Sequence, residues 1–387
     1  STAIEQMRVR GEIDEETAAI YQLYAFRHPE KLPEELRALP EPQVACATHH
    51  FVRAYQMLRQ GRFNAWAQNA YKQGIARPSS AGYYDSTVYP VRVHYTKSSL
   101  ASKAASVLSY VEYSWEFQVE TIGFLPPVGD YGGSSEGGST ALDFYIGDAQ
   151  GAGGYTAPEY NYPSTPHADC TVWVMISEDV SGGQLKTTVA HEFNHTLQAS
   201  HDCLEWLAFW ENTATYMMEL TYDSVDDYIY MLPEFQMYPY APFEYYSEYD
   251  AYYYGGVMVT MVLDEAFGNG DGVAVRRAWE ECMQNNEYTN EPDYFDAIDI
   301  VVREHGGEGL DEFQQTLTEW RYLTGTRDDG SHLSEAGMWD TYCGTYCEPP
   351  DDRTYSFSSL PVTGTASEPP YDHGSSYIRL NIGASHT

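Results

Sequence analysis

Thr187-Thr188-Val189-Ala190-His191-Glu192-Phe193-Asn194-His195-Thr196-Leu197 is the stretch whose reading decides the fold. On a helix, residues four apart lie about 40° from one another around the axis. His191 and His195 therefore stack on one face, from which both imidazoles can reach a single zinc ion, while Glu192 stands beside them facing the ion's open position. Leu185, Val189, Phe193 and Leu197 recur every fourth residue and form an apolar stripe roughly opposite the histidines. The expectation is a buried helix with one face to a core and one to a metal.

Upstream, Cys170–Ile176 is rich in β-branched and aromatic residues and reads as a strand that feeds this helix through a Gly-containing loop. Leu142–Ile146 is a second strand, and Gly153–Pro158 an edge strand ending at its proline. Val88–Tyr95 is a further strand, followed by a helix from about Ser99 to Phe117 and a Gly/Ser-rich loop over 129–138. The first eighty residues read as helical, with amphipathic segments around Ala18–Tyr24 and from about Thr48 through Leu58, and Arg77–Gly82 marks a boundary. Downstream, Trp206–Leu220, Gly255–Phe267, Val273–Met283 and Leu310–Leu323 read as helices. Between the first two of these, Tyr222–Tyr254 holds eleven tyrosines and no Lys or Arg, and reads as a long loop packed through its own rings. Beyond Trp339 the composition turns to Pro, Ser, Gly and Thr, with a strand at Tyr377–Ile382.

The charge excludes several partners. With 21 basic and 57 acidic residues in 387, the net charge is −36, which argues against nucleic acid and anionic membranes. No apolar run approaches the ~18 residues of a membrane span, so membrane insertion is not expected. The imbalance is uneven: residues 1–103 carry 13 basic and 10 acidic side chains, residues 104–387 carry 8 and 47. Residues 42–84 hold five basic residues and no acid, which suggests a layer or lid packed on an acidic body. Cys46, Cys170, Cys203, Cys282, Cys343 and Cys347 are compatible with three disulfides in an oxidising compartment, their pairing left open. The opening Ser-Thr-Ala fits a processed, secreted protein.

A zinc ion that keeps a position for water needs a third protein ligand. Glu211, in Trp210-Glu211-Asn212-Thr213-Ala214, is separated from His195 by fifteen residues and lies on the next expected helix. His201 is the other candidate, because His191 to His201 has the histidine spacing HExxHxxGxxH, with Gln198 where that pattern has its turn-making glycine. The Glu211 arrangement resembles the gluzincin metallopeptidases, in which HExxH is followed by a helix whose glutamate completes the site. The clause Trp320–Gly330 adds a likeness to a group of proteins described as secreted metalloproteinases in myxobacteria and related bacteria. The resemblance covers roughly residues 85–340.

The resemblance implies an α+β fold. Residues 1–82 form an N-terminal helical segment, and 83–205 a zincin-like subdomain of mixed sheet and helices carrying the HExxH helix. Residues 206–340 form a mainly helical subdomain and 341–387 a β-rich tail. It implies His191, His195 and Glu211 as zinc ligands, Glu192 as general base and then acid, and Tyr253, three residues before Gly256, as donor to the oxyanion. The expected activity is that of a secreted zinc endopeptidase acting on a peptide or protein substrate. The alternative is a catalytically silent, zinc-stabilised adhesion or structural module, which has no need of Glu192. Calcium is a second candidate ion, at Asn269-Gly270-Asp271.

Overall fold

A computed structural model of the chain describes residues 2–37, 44–130, 136–161, 165–245, 252–283, 290–357, 365 and 370–382. The loop expected at 129–138, the tyrosine-rich segment and the tail therefore lie partly outside the described residues. The chain divides into two compact units: Ser1–Asp226 with Val275–Ala297, and Asp227–Ala274 with Ile298–Thr387. The first unit takes in the expected segments 1–82 and 83–205 together with part of 206–340.

The first unit begins with helices α1 (Thr2–Val9), α2 (Glu15–Arg27) and α3 (Glu34–Arg37). Asp14 caps α2 by accepting from the Thr17 N–H. Strand β1 (Val44–Cys46) then leads into α4 (Thr48–Arg59) and α5 (Ala65–Gly74), the latter capped by Asn64. Next come β2 (Gly82–Asp85), β3 (Val91–Tyr95) and α6 (Ala101–Trp115), which passes into a π-helical turn, Glu116–Thr121. Strands β4 (Leu142–Gly147), β5 (Ala152–Asn161) and β6 (Cys170–Ser177) precede α7 (Gly182–His201) and α8 (Leu207–Thr221).

The strands form one mixed sheet in the order β1-β5-β6-β4-β3-β2. The pairs β1–β5, β4–β6 and β3–β4 are parallel, while β5–β6 and β2–β3 are antiparallel. Every residue of β4 and β6 is buried, which accounts for their nearly unbroken apolar sequence: both faces are covered. The class is therefore mixed, with helices around a mixed sheet, as an α+β chain requires.

Several elements depart from their expected form. Strand β5 is not an edge and does not stop at Pro158; it lies between β1 and β6 and runs to Asn161. The proline is accommodated because β1 pairs only with Ala152–Gly154, and because the β5–β6 register shifts between Pro158 and Asn161. Strand β3 starts at Val91, since Ser86 Oγ accepts from the N–H groups of Val88 and Tyr89 and folds them into a turn. Strand β1 falls within a stretch expected to be helical throughout.

The second unit holds α9 (Leu232–Met237), α10 (Tyr252–Gly255) and α11 (Val257–Phe267), so the tyrosine-rich segment is partly helical rather than a loop. Helix α12 (Val273–Cys282) and the start of α13 (Tyr294–Glu304) return to the first unit. The second unit then continues with α14 (Leu310–Tyr322), α15 (Trp339–Cys343) and a parallel pair, β7 (Arg353–Phe357) and β8 (Ile378–Ile382). Among the described residues no helix is long and apolar enough to cross a membrane.

Two disulfides form, not three: Cys170–Cys203 and Cys343–Cys347. Cys46 and Cys282 are buried with their thiols outside any disulfide. The first disulfide joins the start of β6 to Cys203, which lies just beyond the end of α7 at His201. Of the basic residues in 42–84, Arg53 and Arg62 both pair with Glu15 of α2, whereas Arg77 reaches the sheet, where it meets Asp130, Asp143 and Glu159. The segment lies within the first unit, and its Arg77 is the arginine with those three carboxylate partners.

Candidate metal centre

Helix α7 is buried continuously from Val189 to His201, with its apolar stripe against the sheet and α6. Helix α8 packs along it and is buried from Leu207 to Glu219. Two buried helices in contact can bring polar side chains together only if those groups satisfy one another or hold an ion.

They meet at one point. His191 Nε2 lies 3.0 Å from His195 Nε2, and Glu211 Oε2 lies 3.2 Å from the first and 3.6 Å from the second. A fourth group completes the cluster: Cys46 Sγ of β1, 3.5 Å from His195 Nε2. Single donor atoms of Cys46, His191, His195 and Glu211 all lie within 4.8 Å of one another, and all four residues are buried. Two imidazoles, a carboxylate and a thiol in that space can hold a metal ion.

The electrostatics of the cluster centre on Glu211. Burial disfavours ionised Glu211, but His195 and hydrogen bonds from His191, His195 and His49 outweigh it and hold the carboxyl well below its ordinary range. Burial likewise opposes a charged His195, yet Glu211 raises its pKa above the usual value. Burial, with Glu192 and Glu211 nearby, pushes the Cys46 thiol well up. A bound cation would take the place of the shared protons.

The outer contacts fix the ligands. His195 Nδ1 lies 2.7 Å from Gln198 Oε1, which assigns the proton to Nδ1 and turns the Nε2 lone pair to the cluster. Gln198 is itself held, its amide donating to Asn194 Oδ1, the Trp210 carbonyl and Thr213 Oγ1 at 2.9, 2.9 and 2.7 Å. Gln198 thus serves as an orienting partner within an unbroken helix, at the position where the HExxHxxGxxH pattern has its glycine. His201 consequently stays on the helix, outside the cluster. Its Nδ1 contacts the Leu197 carbonyl at 2.7 Å, and burial lowers its pKa to about 4.

Glu192 is fully buried and is not a member of the metal group. Thr48 Oγ1 and Thr156 Oγ1 both donate to its Oε2, at 3.0 and 2.9 Å, while Oε1 has no hydrogen-bond partner among the described residues. Gly154 of β5 makes room for it, since a Cβ there would come within 2.8 Å of Oε1. Behind α7, Gln118 of the π-helical turn donates to the Ala190 carbonyl and accepts from Asn194, at 3.1 and 3.0 Å.

Tyr253 belongs to the second unit, where it is buried on α10 with its ring 4.4 Å from that of Tyr254. In the loop offered for calcium, Asp271 Oδ1 accepts from the Val273 N–H at 3.1 Å, and nearby Asp264 accepts from the Gly272 and Ala274 N–H groups. Those carboxylates cap α12. The sequence reading missed Cys46, Thr48, His49 and Thr156; the tract Cys46-Ala47-Thr48-His49-His50, dense in metal-ligating residue types, was the available signal. No protein-family model matches the chain, and no curated protein matches it either.

Proposed function

We propose that the chain is a secreted zinc endopeptidase of the gluzincin kind, built on a zincin-like first unit and acting on peptide or protein substrates. The observation that carries this reading is Glu192. A carboxylate buried beside a metal group, outside it, and keeping one oxygen without a hydrogen-bond partner among the described residues is what a general base requires and what a structural site can do without. The donor set suits zinc, since calcium prefers oxygen ligands alone. Two disulfides fit an oxidising, extracellular setting.

His191, His195 and Glu211 would hold the ion. When bound, zinc lowers the pKa of a water towards ~7 and polarises the scissile carbonyl. Glu192 Oε1 takes the proton of the attacking water and returns it to the leaving amine, while Thr48 and Thr156 keep Oε2 fixed. Tyr253 is the proposed donor to the substrate carbonyl oxygen, on the family resemblance alone.

A second reading is favoured by Cys46. Four protein ligands close a zinc site, and closed sites are structural, as in a catalytically silent adhesion module. Glu192→Gln separates the two. With metal content unchanged by elemental analysis, cleavage of a random peptide library falls by roughly 10²–10⁴-fold if Glu192 is the base. Undiminished cleavage in that variant overturns the enzymatic reading.

A further inference from the structure

We propose that the Cys46 thiolate is the fourth ligand of the metal and that residues 44–49 are a built-in occupant of the reaction site, so that the chain in this form is held closed. The consequence for activity rests on the peptidase reading; the ligand assignment does not.

Three independent contacts converge in this short segment. Cys46 Sγ stands 3.5 Å from His195 Nε2, within the same 4.8 Å cluster as His191 and Glu211. Zinc takes four ligands tetrahedrally and accepts thiolate sulfur readily, so this sulfur fills the position that a catalytic site leaves to water. As the sulfur–metal bond forms, the S–H bond breaks and its proton passes to water. Two residues on, Thr48 donates to the proposed base Glu192. One residue further, His49 Nδ1 lies 3.2 Å from Glu211 Oε1. Ligand position, base and carboxylate ligand are thus each engaged within four consecutive residues.

The backbone of the same segment occupies the sheet edge. The Val44 and Ala47 N–H groups donate to the carbonyls of Gly151 and Gly154 at 3.2 and 3.0 Å, and the Thr156 N–H donates to Thr48 Oγ1 at 2.8 Å. Without β1, strand β5 would be an open edge running past Glu192, the kind of edge to which an extended peptide adds as a further strand. β1 holds that edge with only three residues. A strand this short adds little stability of its own, so the segment is attached chiefly by the buried helix α4 that follows.

The test uses the full chain loaded with cobalt(II). The wild type shows a near-ultraviolet thiolate-to-cobalt charge-transfer absorption, which Cys46→Ser abolishes while retaining the ion and which Cys282→Ser, at the other non-disulfide thiol, leaves unchanged. X-ray absorption of the zinc-loaded wild type, which needs no variant to fold, shows a sulfur neighbour at about 2.3 Å. Cleavage of a quenched random peptide library rises roughly tenfold or more in Cys46→Ser and Cys46→Ala, because a closed state leaves less than about a tenth of the molecules competent. Absence of the sulfur signals in metal-loaded wild type overturns the proposal, even if Glu192-dependent cleavage is present and the peptidase reading stands. Sulfur signals with equal Glu192-dependent cleavage in wild type and variants overturn the closure. Sulfur signals with no cleavage in any variant overturn the closure together with the peptidase reading, and leave a four-ligand structural centre.

Discussion

The first unit contains two buried clusters of charge, solved in opposite ways. Around Arg77, the carboxylates of Asp130, Asp143 and Glu159 gather on one guanidinium, with His94 Nε2 2.9 Å from Asp143. The chain supplies this cluster's cation covalently. Around His191 and His195, Glu211 and Cys46 gather with imidazoles, not a guanidinium, against the carboxylate. Buried anions need a counter-charge in either case, and in the second cluster the imidazoles around Glu211 supply it in a form that a metal ion can replace. One cluster is closed by a fixed guanidinium, while the other is a group that can hold a metal ion.

The largest effect expected from this contrast is at Glu211. Losing the one carboxylate of the group leaves two imidazoles and the Cys46 sulfur, so Glu211→Ala releases the ion at lower chelator concentration than the wild type while His201→Ala keeps it, as elemental analysis after dialysis will show. Retention by the first variant and loss by the second would reverse the ligand assignment. Next comes Arg77→Met, which strands three carboxylates and lowers unfolding free energy by about 3–5 kcal/mol in denaturant titration, with metal content of the folded fraction unaltered. A smaller loss would mean that the carboxylates neutralise themselves by taking up protons.

A pH series sharpens that point. Burial raises the pKa of Glu159 from 4.5 to about 7, and that of Asp130 to about 6, because one guanidinium cannot balance three carboxylates. The folded state therefore holds these protons more tightly than the unfolded state. Stability is greatest below pH 4.5 as far as Glu159 is concerned, and it declines as pH rises towards about 7, by up to about 3 kcal/mol. Glu159→Gln flattens the dependence of the melting temperature over that window, whereas an unchanged slope would assign it to the general acidic repulsion of the chain. The smallest effect is at Gln198. Gln198→Ala removes the partner of His195 Nδ1 and weakens metal affinity roughly 10–100-fold without abolishing it. Equal affinities in competition with a fluorescent chelator would show that the imidazole is oriented by packing alone.

The two clusters also differ in how far they could be seen in the sequence. His191, Glu192 and His195 sit within five residues of one helix, so periodicity alone places them, and Glu211 follows on the next helix. The central strands β4 and β6 were equally plain, because burial on both faces writes itself as a continuous apolar run. Cys46 reached the metal group through the parallel pairing of Val44 with Ala152, a contact between distant parts of the chain that no local pattern encodes. Strand β1 is too short to show alternation, and Arg77 gave no hint that it would gather carboxylates from three separate segments. Gln198 was legible as the departure from HExxHxxGxxH that points away from His201 and towards Glu211 of α8, which the metal group contains, but its contact with His195 was not.

The Cys170–Cys203 bond has a consequence for durability. It closes β6 and α7 into a single covalent ring, 33 residues from one sulfur-bearing residue to the other, with both histidines inside it. A single cut in the chain between those cysteines would open the ring without releasing either histidine, since each fragment remains tied to the body at one end or through the sulfur bridge. The centre can be nicked and still not come apart.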